Sequence, residues 1–126
     1  MDEVTLKLPR DPSFYPVVHL VLGGLASRMN LTWENLQDLE VALDSLLERG
    51  EGDVTIALRV REDAIQALVG PVDSELEEEL GRDPGREVGL RRILDTVVDR
   101  VEITERDGQP WVDLTKRFPV AAGSGA

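Results

Sequence analysis

The spacing of the apolar residues changes at Gly50, and that change restricts the chain to folds in which helices pack on a sheet. Ahead of it, Phe14, Val17, Val18, Val21, Leu22, Leu25 and Met29 recur at three- and four-residue steps, which stacks them on one face of a helix. Leu36, Leu39, Leu43, Leu46 and Leu47 repeat the pattern in a second helix. Thr32 is placed as its N-cap, accepting from an amide near Asn35, and Gly50 ends it. After Gly50 the period is two. Val54, Ile56, Leu58 and Val60 alternate with Thr55, Ala57 and Arg59, and beyond the polar pair Glu62-Asp63 the run AIQALV returns. Two such runs joined by a short polar turn form an antiparallel hairpin.

The remaining segments extend this plan. Val4, Leu6 and Leu8 alternate with Thr5 and Lys7 before Pro9, a short opening strand. Gly70 to Glu87 is rich in glycine, proline and acid, and is predicted as a loop with one short helix at SELEEEL, too poor in large apolar residues to join the core fully. Leu90, Ile93, Leu94, Val97, Val98 and Val101 restore the helical spacing. Val101 and Ile103 then lead through Asp107-Gly108, a strong two-residue hairpin turn, to a last strand at Trp111, Val112 and Leu114. The order is strand, helix, helix, two strands, helix, two strands. It predicts an α+β two-layer sandwich, a mainly antiparallel sheet with three helices on one face. Residues 1–118 are expected to form a single domain, and 119–126, ending in AAGSGA, a disordered tail.

Composition narrows the function classes. The 126 residues hold no cysteine and one histidine, which excludes a disulfide framework, a thiolate metal site and a histidine-rich metal centre. No stretch approaches the ~20 apolar residues of a membrane span. The opening MDEVTLKLPR lacks the basic start and apolar run of a secretory signal, so a cytoplasmic location is expected. A formal charge of −11 repels phosphate backbones and anionic lipid, which makes a basic protein patch a better partner than nucleic acid or membrane.

Two strings, LPRDPSFYPVVHLVLGGLASRMNLTWENLQDLEVALDSLL and GREVGLRRILDTVVDRVEI, together with the element order, resemble the GHKL-type anti-sigma-factor serine kinases, whose ATPase fold is shared with histidine kinases and gyrase. The resemblance covers nearly the whole chain and implies that Bergerat-type fold, ATP and magnesium as cofactors, and a sigma factor or an anti-sigma antagonist as partner. It also implies a homodimer. In such proteins a glutamate on the second helix activates water or the substrate serine, and an asparagine four residues on holds magnesium. Aligning VALDSLLERG with that helix puts Ser45 at the glutamate position and Arg49 at the asparagine position. Serine is no general base at neutral pH, and a guanidinium has no lone pair to offer a cation.

The family's adenine-reading aspartate falls in ALVGPVD, at Leu68 or Ala67, with Gly70 and Pro71 keeping the turn. The second glycine box is matched by Gly85, Gly89 and Leu90, where a helix N-terminus can face phosphate. Were nucleotide to bind, Gly70, Gly85, Gly89 and Leu90 are the residues expected to touch it. The acidic SELEEEL fills the lid region, where it repels a triphosphate.

Other candidates have plainer readings. His19 has no second histidine or cysteine with which to share a metal and is expected to be structural or on the surface. A triad of Ser45, Asp44 and His19 is discounted, because Ser45 and Asp44 are neighbours on a helix and point apart. Trp33 and Trp111 are expected in core or rim packing. The leading expectation is therefore a regulatory protein-binding domain that acts by partner switching, carries no catalytic residue and docks through the helix surfaces of Leu36 to Arg49 and Ser74 to Leu80. One alternative is an active serine kinase with Asp44 or Glu48 in place of the glutamate; another is an accessory dimerisation domain of an unrelated system.

Overall fold

The computed structural model describes residues 3–29, 31–50, 52–81 and 89–118, so the expected tail at 119–126 lies outside the described residues. Strand β1 (Glu3–Pro9) leads through a 3-10 turn (Pro12–Phe14) into helix α1 (Tyr15–Met29) and then α2 (Trp33–Leu47). The hairpin β2 (Asp53–Val60) and β3 (Ala64–Gly70) follows, then α3 (Ser74–Gly81) and α4 (Leu90–Val97), and a second hairpin of β4 (Arg100–Arg106) and β5 (Gln109–Arg117). All five strands form one antiparallel sheet in the order β1-β2-β3-β5-β4. The fold is the α+β sandwich the spacing predicts; the short helix expected at SELEEEL forms over two turns and packs with the three helices expected on the sheet, giving four α-helices among the described residues.

Local chemistry explains the element ends. Asp11 accepts from Ser13 N at 2.9 Å, opening the turn ahead of α1, and these hydrogen bonds hold the Asp11 carboxyl below its ordinary value. Pro16 falls in the first turn of α1, where a missing N–H costs nothing. Thr32 caps α2 by accepting from Asn35 N at 3.1 Å. Gly50 stops the chain after it at φ 90°, a conformation that a residue with Cβ adopts only under strain. Asp107 and Gly108 both have positive φ, 54° and 76°, as a two-residue hairpin turn matched to the strand twist requires.

Register places the apolar rows of every strand on one face. Leu6 pairs with Ile56, Ala67 with Leu114 and Ile103 with Val112. That face packs in one cluster with Val18 and Leu22 of α1, Leu39, Leu43 and Leu46 of α2, Leu76 and Leu80 of α3, and Leu90 and Leu94 of α4. The other face carries a small cluster of Ala57, Leu68 and Trp111.

Three expectations are corrected. The 74–81 segment does join the core, since Leu76 and Leu80 are spaced one turn apart and both are buried. The helix expected over 90–101 stops at Val97, and Val98 is already extended at φ −125° and ψ 163°, so Val98 and Val101 enter the core from a strand approach. Phe14, Val17 and Trp33 are exposed, at 38%, 44% and 70%. Helix α1 buries a narrower stripe, centred on Val18, Leu22 and Leu25.

Candidate functional site

The C-terminus of α2, the chain leaving β3 and the start of α3 converge on a groove. One part, of about 170 Å³, is lined by Glu48, Arg49, Gly50, Asp73, Glu75, Leu76 and Glu79. The adjoining part, of about 240 Å³, shares Arg49, Gly50, Asp73 and Leu76 and adds Arg10, Asp53, Pro71, Val72 and Gln109. Each part is below the ~300–1,000 Å³ typical of a small-molecule site. Five carboxylates line the groove, and the cations among them are Arg10 and Arg49.

Both arginines are committed to the protein itself. Arg10 lies across Gly50, where an added Cβ would stand 3.3 Å from its Cζ, and it donates to the carbonyls of Asp53 and Pro71 at 3.4 Å each. Burial lowers the Arg10 pKa, opposed by the nearby Asp73 carboxylate. Arg49 Nη1 donates to Glu79 Oε2 at 3.0 Å, tying the end of α2 to α3. The other oxygen of Glu79 accepts from Leu90 N, a long contact of 3.4 Å at the first turn of α4. Arg91 closes the arrangement by donating to Leu80 O at 2.7 Å and pairing with Asp95 one turn on. A cation just past the end of α2 and an anion against the N-terminus of α4 thus meet within the chain.

The residues singled out in the sequence are only partly brought together. Ser45 donates its Oγ to Val41 O at 2.7 Å, back along its own helix. Arg49, Gly89 and Leu90 gather around Glu79, but the Leu90 side chain is buried in the core and offers only its amide. A Cβ on Gly89 would meet Glu79 Oε1 at 3.9 Å, ordinary contact, so nothing among the described residues demands glycine there. Gly70 has a clear structural reason to be glycine, since an added Cβ would stand 2.6 Å from Cδ2 of Trp111. Ala67 lies in the main core and Leu68 beside Trp111 on the opposite sheet face, so neither borders the groove, which Pro71 to Asp73 line instead. Gly85 lies outside the described residues.

Sequence reasoning missed Glu79, whose role depends on α3 and α4 meeting end to end. It also missed the surroundings of His19. The imidazole bridges α1 to α2, with Nε2 2.9 Å from Asp44 Oδ1 and Nδ1 3.5 Å from Glu40 Oε2. Asp44 is thereby engaged away from the groove, and of the two carboxylates considered as substitutes for the missing glutamate only Glu48 lines it. Since each ring nitrogen faces a carboxylate and Ser45 bonds its own helix, Ser45 and His19 do not form a nucleophile–base pair. Among the described residues no group of three or more histidines, aspartates or glutamates is placed to hold a metal, and no helix is long and apolar enough to cross a membrane.

No protein-family model matches the chain. It is 25% identical to the serine-protein kinase RsbW of Bacillus velezensis, over 86% of this chain and 81% of that protein. The RsbW proteins of Bacillus subtilis and Listeria monocytogenes are each 26% identical over 85% of this chain. The alignment spans most of both proteins, and the five-stranded sandwich agrees with it. The chain is similar to these serine-protein kinases, and its fold is compatible with the GHKL-type ATPase fold that the sequence resembles. Ser45 on α2 and Arg49, two residues past its end, are the residues that the resemblance sets against a catalytic glutamate and a magnesium-binding asparagine.

Proposed function

We propose that this protein is a partner-switching regulator of the anti-sigma type that works by binding protein and has given up phosphoryl transfer. The observation that carries this reading is the Arg49–Glu79 pair at 3.0 Å, with Glu79 against Leu90 N. A magnesium nucleotide needs a metal ligand and room for its phosphates. Here the residue that the resemblance sets at the metal position is a guanidinium, which accepts nothing, and a carboxylate stands at the N-terminus of α4. Ser45, turned to Val41 O, supplies no base. The remaining carboxylates of the groove add repulsion toward a triphosphate.

The partner in this reading is a sigma factor or its antagonist, met in the cytoplasm. The working unit is residues 1–118, paired as a homodimer; light scattering at the monomer mass of 13.9 kDa argues against pairing. The helix surfaces of Leu36 to Arg49 and Ser74 to Leu80 are the contact regions carried forward from the sequence. Calorimetric titration with magnesium ATP and magnesium ADP tests the central claim. No heat of binding is expected. Micromolar affinity, about 8 kcal/mol, would return the protein to the kinases, with Glu48 as the base to mutate first.

A further inference from the structure

We infer that the outer face of the α1–α2 pair is a docking surface for an amphipathic, basic helix of a partner protein, centred on Leu20, Val41 and Trp33. These side chains are 77%, 44% and 70% exposed, and with Val17 and Phe14 they are the large apolar residues the described fold leaves in water. They belong to one face. Helices α1 and α2 are joined by residues 30–32 and so run antiparallel, and His19 fixes their level by meeting Glu40 and Asp44. Leu20 follows His19 and Val41 follows Glu40. Each is turned about 100° out of the seam, so the two stand side by side on the solvent face.

The glycines next to Leu20 give an independent reason. Gly23 and Gly24 lie three and four residues on, the neighbouring positions on the helix surface. Glycine weakens a helix interior relative to alanine, yet a Cβ built on either residue meets nothing within 4 Å, so no contact among the described residues asks for them. They leave a smooth strip beside exposed leucine and tryptophan, which allows another backbone to come close.

Charge selects the occupant. Glu34, Glu40, Asp44 and Glu48 line the α2 side of this face and its seam, and the chain carries a net −11. A second copy laid on it would set carboxylate against carboxylate, whereas a helix with leucines on one side and lysines or arginines beside them satisfies both the apolar strip and its rim. This inference needs a protein partner but does not depend on the loss of nucleotide binding.

The test uses the full chain and a synthetic leucine–lysine peptide with leucines at i, i+3, i+4 and i+7, followed by tryptophan emission. Trp33 is exposed and Trp111 already buried, so docking is read as a blue shift from Trp33. Leu20→Ser and Gly24→Gln are each expected to weaken peptide binding about tenfold. Gly24→Gln is also expected to keep or raise Tm, because glutamine favours a helix, which separates lost docking from lost folding. A leucine–glutamate peptide of the same spacing is expected not to bind. The inference is overturned if the lysine peptide fails to bind, or if both variants bind it as the wild type does, which would mean charge attraction alone. It is equally overturned if sedimentation shows a wild-type dimer that Leu20→Ser converts to monomer, which would make the occupant a second copy. Nucleotide binding in calorimetry would sink the preceding reading and leave this result standing.

Discussion

Arg49 and Glu79 are thirty positions apart in the chain and 3.0 Å apart in the fold, and their pairing joins α2 to α3. Because the pair is partly exposed, its own contribution to stability is about 0.2–1 kcal/mol. Glu79 also faces the first amide of α4, so Glu79→Ala is expected to cost more than Arg49→Ala in urea unfolding. The swap Arg49→Glu with Glu79→Arg restores the pair but sets a cation against the α4 N-terminus, and is expected to recover only part of the loss. A full recovery would show that the α4 contact contributes nothing.

Gly70 closes against the ring of Trp111, so Gly70→Ala must displace a buried indole. Overpacking of this kind is expected to cost about 1–3 kcal/mol. The 2.6 Å approach to Cδ2 leaves no slack that a small side-chain shift removes. Gly70→Ala combined with Trp111→Leu is expected to be less destabilised than the sum of the two single variants in chemical denaturation. Strict additivity would mean that the ring moves aside without strain.

The sheet and the first two helices were legible because their signals are local. The period change at Gly50, the Thr32 cap and the Asp107-Gly108 turn each depend on a few neighbouring residues, and each appears in the structure. The site was less legible because its parts meet only in three dimensions. Ser45 and Arg49 were named from the resemblance alone, while Glu79, three residues beyond Leu76 in what read as a charged surface run, gained its role from the meeting of α3 with α4. Leu68 or Ala67 was matched by string to the adenine-reading aspartate, and strand alternation sends the two to opposite faces of the sheet, neither at the groove. The exposure of Trp33 was hidden by its position at the start of an amphipathic helix, where the apolar stripe that follows is buried without it.

Thr32 supplies a cap that an alanine cannot. Its hydroxyl accepts from Asn35 N at 3.1 Å, one of the amides left over at the start of α2. Thr32→Ala is expected to lower stability by about 1 kcal/mol, and Thr32→Ser by much less, measured as the shift in urea midpoint at constant slope. Equal losses in the two variants would place the effect in the methyl group and not in the cap.

Tyr15 makes the stability of the α1–α2 pair sensitive to alkali. Burial raises its phenol above the ordinary value of 10.0, and the carboxylates of Glu48, Asp44 and Asp11 add to the rise. Below the unfolded value both states hold the proton and pH has no effect through this group. Above it the unfolded chain releases the proton first, so the folded state loses stability as pH climbs toward the folded value. Tyr15→Phe is therefore expected to lose less stability than the wild type between about pH 9 and 11, compared by urea midpoints. Added salt is expected to shrink the difference by screening the carboxylates while leaving the contribution of burial. If the two proteins fall in parallel over that range, the phenol is not the group that links α1 to pH.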